Sequence, residues 1–472
     1  MSYNTSSKLK EECGLFGIYD RHGYDCARMM YYALYALQHR GQESCGIAVN
    51  DDNNIFCHKD LGLVQDVFSD FVLSQIKGNI AMGHVRYSTA GTNTRDNAQP
   101  LVSKYVKGTL TIAHNGNLVN ADELRDSLEK QGAIFQARND AEVIAYLIAR
   151  ERLNAPSIEQ AVANTIPKLK GAFSLLVMSP RKLIAVRDPH GMRPLCIGKL
   201  EDNTYVFSSE TCGLAAIGAE FIRDIEPGEI VIADGSETLR NITTHCGGKS
   251  ALCIFEHIYF ARPDSVIDGQ SVYEARKAVG HALAKEYPVD ADLVFGVPDS
   301  GLCAAIGYAE ESGIPYGYGL MKNRYIGRTF IQPSQSMREK SVNIKLAAVK
   351  SAVAGKRVVM VDDSIVRGTT MKNIVKMLKD AGAKEVHVRI SSPPFLWPCY
   401  FGTDIPNRDM LIACKYTIEE IRQSIAADTL GFVSCEALKT IAKDSKLEFC
   451  DACFTGKYPM EVPIMKEMEG NK

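Results

Sequence analysis

The stretch "RVVMVDDSIVRGTT" at residues 357–370 decides how the second half of this chain is read. Val358 to Val361 form a short apolar run, mostly β-branched, with the character of a buried strand. It leads directly into two adjacent acids, Asp362 and Asp363. A short loop then ends in Gly368-Thr369-Thr370, where a helical pattern begins. Backbone N–H groups and hydroxyls at a helix N-terminus suit a phosphate. Carboxylates at a strand end can accept hydrogen bonds from ribose hydroxyls or hold a hard cation. The plainer alternative is that Thr369 or Thr370 caps the helix while the two acids are solvated.

Working outward, "DADLVFGVPDSG" (290–301) and "AKEVHVRISSPP" (383–394) are further apolar strands that end in loops. Helical segments lie between such strands, as in "GTTMKNIVKMLKDAGA" (368–383). In "TIEEIRQSIAADTLG" (417–431), Thr417 and Glu420 have capping-box spacing, and Ile418, Ile421 and Ile425 share a face. Strand, loop and helix in alternation are the sequence form of a parallel sheet with crossover helices. The strand-acid-acid-loop-Gly-Thr-Thr order resembles the 5-phosphoribosyl-1-pyrophosphate (PRPP) signature of type I phosphoribosyltransferases. That resemblance implies that Asp362 and Asp363 face the ribose and Mg2+, and that Ser364, Arg367, Gly368, Thr369 and Thr370 wrap the 5′-phosphate. It places Ser300 of "VPDSG" (297–301) at the pyrophosphate or Mg2+. The basic stretch "KNRYIGRTF" (322–330) offers Lys322, Arg324 and Arg328 to close over an anionic substrate; alone it reads equally as a solvated loop.

The bulk numbers leave room for a second unit. At 472 residues the chain exceeds one ordinary core. Hydrophobic content of 46% and charged content of 23% are those of a globular protein. A formal charge of −2 argues against a nucleic-acid footprint. No apolar run approaches the ~20 residues of a membrane-spanning helix. Fourteen cysteines without a secretory signal read as reduced cytoplasmic thiols rather than a disulfide framework.

From residue 13 to about 240 the pattern changes to short alternating apolar runs separated by Gly, Asn and Asp, such as "GLFGIYD", "NIAMGHVRYS" and "FSLLVMS". These read as antiparallel strands. Helical patterns are fewer, around 27–38 and in "DAEVIAYLIARERL" (140–153). "TLRNITTHCGGKS" (238–250) reads as a linker. The twelve polar residues before Cys13 form either a frayed terminus or a removable leader. Removal would give Cys13 a free α-amine, which titrates near ~8 and can serve as a base beside its own thiol.

Cys13, "GHVRYSTAG" (83–91), "HNGNL" (114–118) and "RNDAEV" (138–143) follow an order that resembles class II glutamine amidotransferases of the N-terminal-nucleophile type. The resemblance implies a nucleophilic Cys13 exposed by loss of a 1–12 propeptide. It implies an oxyanion hole from the Asn115 amide and the Gly116 N–H, with Arg86 on the glutamine carboxylate and Asp140 on its ammonium. Singly, Asp140 is also a helix-start acid and Asn115-Gly116 a turn. "LQHRGQES" (37–44), "RDPHGMRPL" (187–195) and "FARPDS" (260–265) extend the match.

The expected architecture is an α+β N-terminal-nucleophile domain over 13–240, an antiparallel β-sheet sandwich flanked by helices. An α/β type I phosphoribosyltransferase domain with a parallel sheet follows over 252–472. Joined, the halves resemble the glutamine–PRPP amidotransferases of purine synthesis. Members of that family come with or without a leader and an iron–sulfur cluster. Cys450 and Cys453 in "EFCDACFTGKYP", Cys399 in "LWPCYFG" and Cys253 in "ALCIFEHIYF" match the cluster pattern, implying a structural [4Fe–4S] site at the C-terminal segment. By spacing alone the four suit zinc equally, or inert burial. Cys26, Cys45, Cys57, Cys196, Cys212, Cys246, Cys303, Cys414 and Cys435 read as core thiols. The resemblance further implies a homotetramer, inhibition by purine nucleotides, and an internal ammonia passage completed when the 322–330 loop closes. Two other classes bear on the reading: a different class II amidotransferase, which would not need "VDDSIVRGTT", and a non-catalytic PRPP sensor, which would not need Cys13 with Arg86, Asn115 and Asp140.

Overall fold

The computed structural model describes residues 13–22, 26–52, 54–87, 94–323, 346–403, 405 and 407–463. The leader 1–12, Arg324 and Arg328, and hence the loop expected to close, lie outside the described residues. The strands of the first half are β1 (Gly14–Tyr19), β2 (Ser44–Asp51), β3 (Asn54–Leu61), β4 (Ile80–Arg86), β5 (Leu101–Tyr105), β6 (Gly108–Leu118), β7 (Gly171–Ser179), β8 (Lys182–Arg187), β9 (Cys196–Lys199), β10 (Tyr205–Ser208), β11 (Glu220–Asp224), β12 (Ile230–Ala233) and β13 (Arg240–Ile242). They form two antiparallel sheets, ordered β11-β9-β10-β1-β4-β2-β3 and β13-β12-β8-β7-β6-β5.

Leu15, Met82, Ala113, Leu176, Leu183 and Phe207 pack between the two sheets. The helix Cys26–Ala36 covers the outer face of the first sheet through Met30 and Leu34. The helices Asp140–Asn154 and Ile158–Thr165 cover the outer face of the second. Strands buried on both faces carry continuous apolar runs rather than clean alternation. All nine residues of β7 but the last are buried.

The second half adds β14 (Leu252–Cys253), β15 (Val266–Ile267), β16 (Gln270–Ser271), β17 (Leu293–Gly296), β18 (Leu320–Lys322), β19 (Leu346–Ala348), β20 (Arg357–Asp362), β21 (Glu385–Ile390), β22 (Thr429–Phe432) and β23 (Phe449–Cys450). Its central sheet, β17-β20-β21-β22, is parallel throughout. Val272–Glu286 and Leu302–Ser312 pack on one face, Thr369–Asp380 and Ile418–Ser424 on the other. All four strands, β17 and β20–β22, therefore end at the same edge, where doubly wound folds bind ligands. The antiparallel-then-parallel architecture is the expected one.

Two local details differ from expectation, and a third bears on the plainer alternative for Thr369 and Thr370. Arg240–Ile242 is an edge strand on β12 within the polar segment read as linker, so the sheet runs past 240. An edge strand with its side chains in water carries no apolar signature. Thr417 and Glu420 do form the capping box, and Ile421 and Ile425 are buried, but Ile418 is 39% exposed. Neither Thr369 nor Thr370 caps its helix; the N-cap is Gly368, at φ 79°, a backbone conformation for which glycine is suited.

Buried polar contacts join the halves. Arg187 of β8 donates to both carboxylate oxygens of Asp268 at 2.9 and 2.7 Å. Asn117 of β6 donates to the Tyr400 carbonyl at 2.9 Å. The parallel β14–β23 pair sets Cys253 level with Cys450 and pins the C-terminal segment to the start of the second half.

Candidate active sites

In the first half the sheet register gathers the nucleophile and its neighbours. Gly14 pairs with Val85, so Cys13 stands at the end of β1 level with Arg86 at the end of β4. Both residues are buried. The Cys13 thiol lies 3.6 Å from the Tyr87 carbonyl, and the Cys13 carbonyl accepts from Arg40 Nε at 2.9 Å. His84 Nε2 donates to the His114 carbonyl at 3.0 Å, which ties β4 in one sheet to β6 in the other. Burial pushes the His84 imidazole down to about 3, so it is neutral.

On β6, Asn115 is fully buried, and neither its amide nitrogen nor its oxygen has a hydrogen-bond partner. Leaving such groups unpaired costs about 1–3 kcal/mol each, so an orphaned, fully buried carboxamide marks a place for a ligand. Gly116 next to it sits at φ 137°, and a Cβ there would lie 2.1 Å from the Ala172 carbonyl oxygen, so only glycine fits. Asp140 opens the helix Asp140–Asn154. It accepts from His114 Nδ1 and from Leu118 N–H, each at 3.0 Å. Burial alone would raise its pKa; His114 and the N–H donors override this and hold it below the usual carboxylate range. The His84–His114 link therefore ties the β4 end that carries Arg86, level with Cys13, to the β6 segment that carries Asn115 and Gly116, with Asp140 held on His114. Arg40 and Tyr87 join them at Cys13; Arg40 and His114 stand inside "LQHRGQES" and "HNGNL", which is the one signal the sequence carries for them.

In the second half, Asp362 and Asp363 lie at the end of β20 and are nearly buried. Ser300 Oγ donates to one oxygen of Asp363 at 2.7 Å, and Ser364 Oγ to the other at 2.6 Å. Asp362 accepts from the Asp363 N–H at 3.0 Å. "VPDSG" is packed against the strand so closely that a Cβ on Gly301 would meet the Val361 carbonyl oxygen at 2.2 Å. Asp362, Asp363, Ser364, Gly368 and Thr370 line a pocket at the N-terminus of the Thr369–Asp380 helix. Its hydroxyl and carboxylate oxygens are a hard-cation donor set. Lys322 pairs with Asp299 beside Ser300. Arg367 Nη2 lies 3.8 Å from Met410 Sδ.

Cys253, Cys399, Cys450 and Cys453 line a third, small cavity, whose other walls include Met192, Phe255, Phe395, Phe401 and Tyr458. Burial pushes the Cys450 thiol up to about 12, and those of Cys253 and Cys453 further up. Neutral thiols are costly to ionise there without a cation. Among the described residues, the trio of donor atoms within 4.8 Å of one another is His39, Glu210 and Cys212, not a set from this cavity. That trio is no cation site: Glu210 already accepts from His39, Arg40, Arg262 N–H and Ser265. Of the remaining cysteines, Cys26, Cys45, Cys196, Cys212 and Cys303 are buried, while Cys57, Cys246, Cys414 and Cys435 are partly exposed.

Comparison with known proteins follows the same division. A glutamine amidotransferase domain family matches residues 84–216 and a phosphoribosyl transferase domain family matches residues 270–391. The chain is 52% identical to the amidophosphoribosyltransferase of Methanocaldococcus jannaschii, over 96% of this chain and 99% of that one. It is 50% identical to that of Bacillus subtilis, over 96% and 95%. Among solved structures, the B. subtilis glutamine PRPP amidotransferase complexed with ADP and GMP superimposes with a TM-score of 0.88 at 49% identity, covering 95% of this chain and 98% of the other. With half of its residues shared along nearly its whole length, and with both sites built on the corresponding halves, the chain belongs to the amidophosphoribosyltransferase family.

Proposed function

We propose that this protein hydrolyses glutamine in its first half and passes the ammonia to C1 of PRPP in its second, releasing pyrophosphate and forming 5-phosphoribosylamine, the first committed step of purine synthesis. The observation that carries the amidase half is the buried, unpartnered Asn115 carboxamide beside Gly116 on the β6 segment tied to the β4 end level with Cys13. The Cys13 thiolate attacks the glutamine carboxamide. Asn115 Nδ2 and the Gly116 N–H then stabilise the tetrahedral oxyanion. Arg86 pairs with the substrate carboxylate and Asp140, kept ionised as described, with its ammonium. The α-amine freed by loss of residues 1–12 takes the thiol proton and returns it to the leaving ammonia. Water then releases glutamate from the thioester.

On the second half, Ser364, Arg367, Gly368, Thr369 and Thr370 cradle the 5′-phosphate, and Asp362 and Asp363 orient the ribose. Lys322 and Arg324 hold the diphosphate from above. Ser300, Asp362 and Asp363 would hold Mg2+, which would neutralise charge on the departing diphosphate. Free ammonia is mostly protonated at neutral pH, which is why the reading includes an enclosed passage between the sites.

The four cavity thiols suit a structural [4Fe–4S] cluster. The family also supports inhibition by purine nucleotides, since a B. subtilis relative was solved with ADP and GMP. A homotetramer and a cytoplasmic location complete the reading; no described helix is long and apolar enough to cross a membrane.

The test is C13A in the full chain. Glutamine-dependent product formation is expected to vanish while ammonia-dependent formation continues; retention of the glutamine-dependent reaction would overturn the assignment of Cys13. Intact mass of anaerobically purified protein checks the rest. A denatured chain beginning at Cys13 and a native increment of four irons and four sulfides are expected.

A further inference from the structure

Arg40, which holds the Cys13 carbonyl, is a fully buried cation with two carboxylate partners from different parts of the chain. Its Nη1 donates to Glu210 Oε1 at 2.6 Å, within the first half. Its Nη1 and Nη2 also donate to Glu256 Oε2 and Oε1, each at 2.9 Å, and Glu256 belongs to the second half. Glu256 is fully buried, on a single turn of π-helix, Glu256–Phe260, a rare conformation found frequently at functional sites. Its Oε1 is shared with Arg193 Nη1 at 3.3 Å. Arg193 in turn donates to the Phe401 carbonyl at 2.6 Å, and the Phe401 N–H points at Cys399 Sγ, 3.4 Å away. Arg193 also lines the cysteine cavity.

We infer that Glu256 is a positioning residue for glutamine hydrolysis: its two-oxygen grip on Arg40 fixes the seat of Cys13. The inference rests on the reading of Cys13 as nucleophile. A fork-to-fork carboxylate–guanidinium pair fixes the guanidinium plane as well as its place. Fixing that plane aims Nε, and Nε holds the carbonyl of Cys13 itself. Thiol and amine sit on the same α-carbon as that carbonyl, so a tilt of the Cys13–Gly14 peptide moves both reacting groups together. Glu210 alone grips Arg40 at one nitrogen and leaves the plane free to rotate. The amidase site is therefore complete only when the second half supplies Glu256, and Arg193 keeps Glu256 in place.

The experiment compares full-length parent, E256Q, E256D and C13A for glutamine hydrolysis and for ammonia-dependent transfer to PRPP. The second reaction does not use Cys13 and reports folding. In E256Q, kcat for glutamine hydrolysis is expected to fall roughly 10–100-fold, the scale of an ångström-sized misplacement of reacting atoms. The KM for glutamine and the ammonia-dependent rate are expected to stay within about threefold of the parent. E256D, which keeps the charge on a shorter stem, recovers part of kcat. A parent-like kcat in E256Q overturns the inference. So does a parallel loss of both reactions in E256Q and E256D, which would make the residue structural only. C13A separates the two readings: if it hydrolyses glutamine, the nucleophile assignment falls, whereas an inactive C13A with a fully active E256Q removes only the role of Glu256.

Discussion

The two sites are built in opposite ways. In the first half the working groups are deep, on strands whose neighbours are apolar on both sides, and Asn115 is left unpaired at full burial. In the second half the groups sit on loops at strand ends, with Ser300, Ser364, Arg367 and Thr370 partly open to solvent. The difference follows from what each must handle. A small neutral product must be kept from bulk water, whereas a polyanion needs a mouth wide enough to enter and many donors around it. Enclosure costs stability through unpaired polar atoms; openness costs the site its shape until a ligand or loop arrives.

That contrast can be broken in order of effect. N115A removes one oxyanion donor from an enclosed site, so kcat for glutamine hydrolysis should fall about 10²–10³-fold with ammonia-dependent transfer intact. An equal fall in both reactions would mean that the two sites are not separable. D363N should lower transfer from either nitrogen source about 100-fold, on the scale of a lost ligand-holding group, while glutamine hydrolysis in the absence of PRPP persists. D140N keeps the shape but removes the charge that meets the substrate ammonium. Its loss is expected mainly in KM, about 10-fold, and a pure kcat effect would reassign Asp140.

The smallest effect is at the join between the halves. Burial, followed by the neighbouring Asp268, lifts Asp224 to about 6. An unfolded aspartate titrates near ~3.9, so between about pH 4 and 6 the folded state holds a proton that the unfolded state has released. Stability from this group therefore falls as pH rises through that window and stays reduced above it. D224N should leave stability at pH 4 unchanged and raise it by about 1–2 kcal/mol at pH 8. Denaturant midpoints at the two pH values check this. A stabilisation confined to pH 4 would reverse the sign.

The same contrast governs what could be read from sequence. The PRPP-type site is nearly contiguous: strand, acids, loop and helix start all fall within residues 357–370, so local pattern reveals it. The amidase site draws on Cys13, Arg86, Asn115 and Asp140, whose meeting depends on strand register, and only resemblance to a family gathers them. Asp140 was legible as a helix start; that His114 holds it was not, because a side chain crossing between elements leaves no periodicity. Arg40 and Glu256 stand 216 residues apart, and no local rule couples them. The edge strand Arg240–Ile242 was hidden for a different reason, since a solvated strand and a linker have the same composition.

The grip on Arg40 also sets an order of events during synthesis. Its partners lie at Glu256, then Arg193 held from Phe401, and the cysteine cavity around them is closed by β23, roughly 200 residues beyond β14. A ribosome adding about 5–20 residues per second reaches Cys453 roughly 20–90 s after Cys13. Throughout that interval the thiol exists but its seat does not. With Glu256 as a positioning residue, glutamine hydrolysis reaches its full rate only after the chain has grown past Phe401, which holds Arg193 against Glu256.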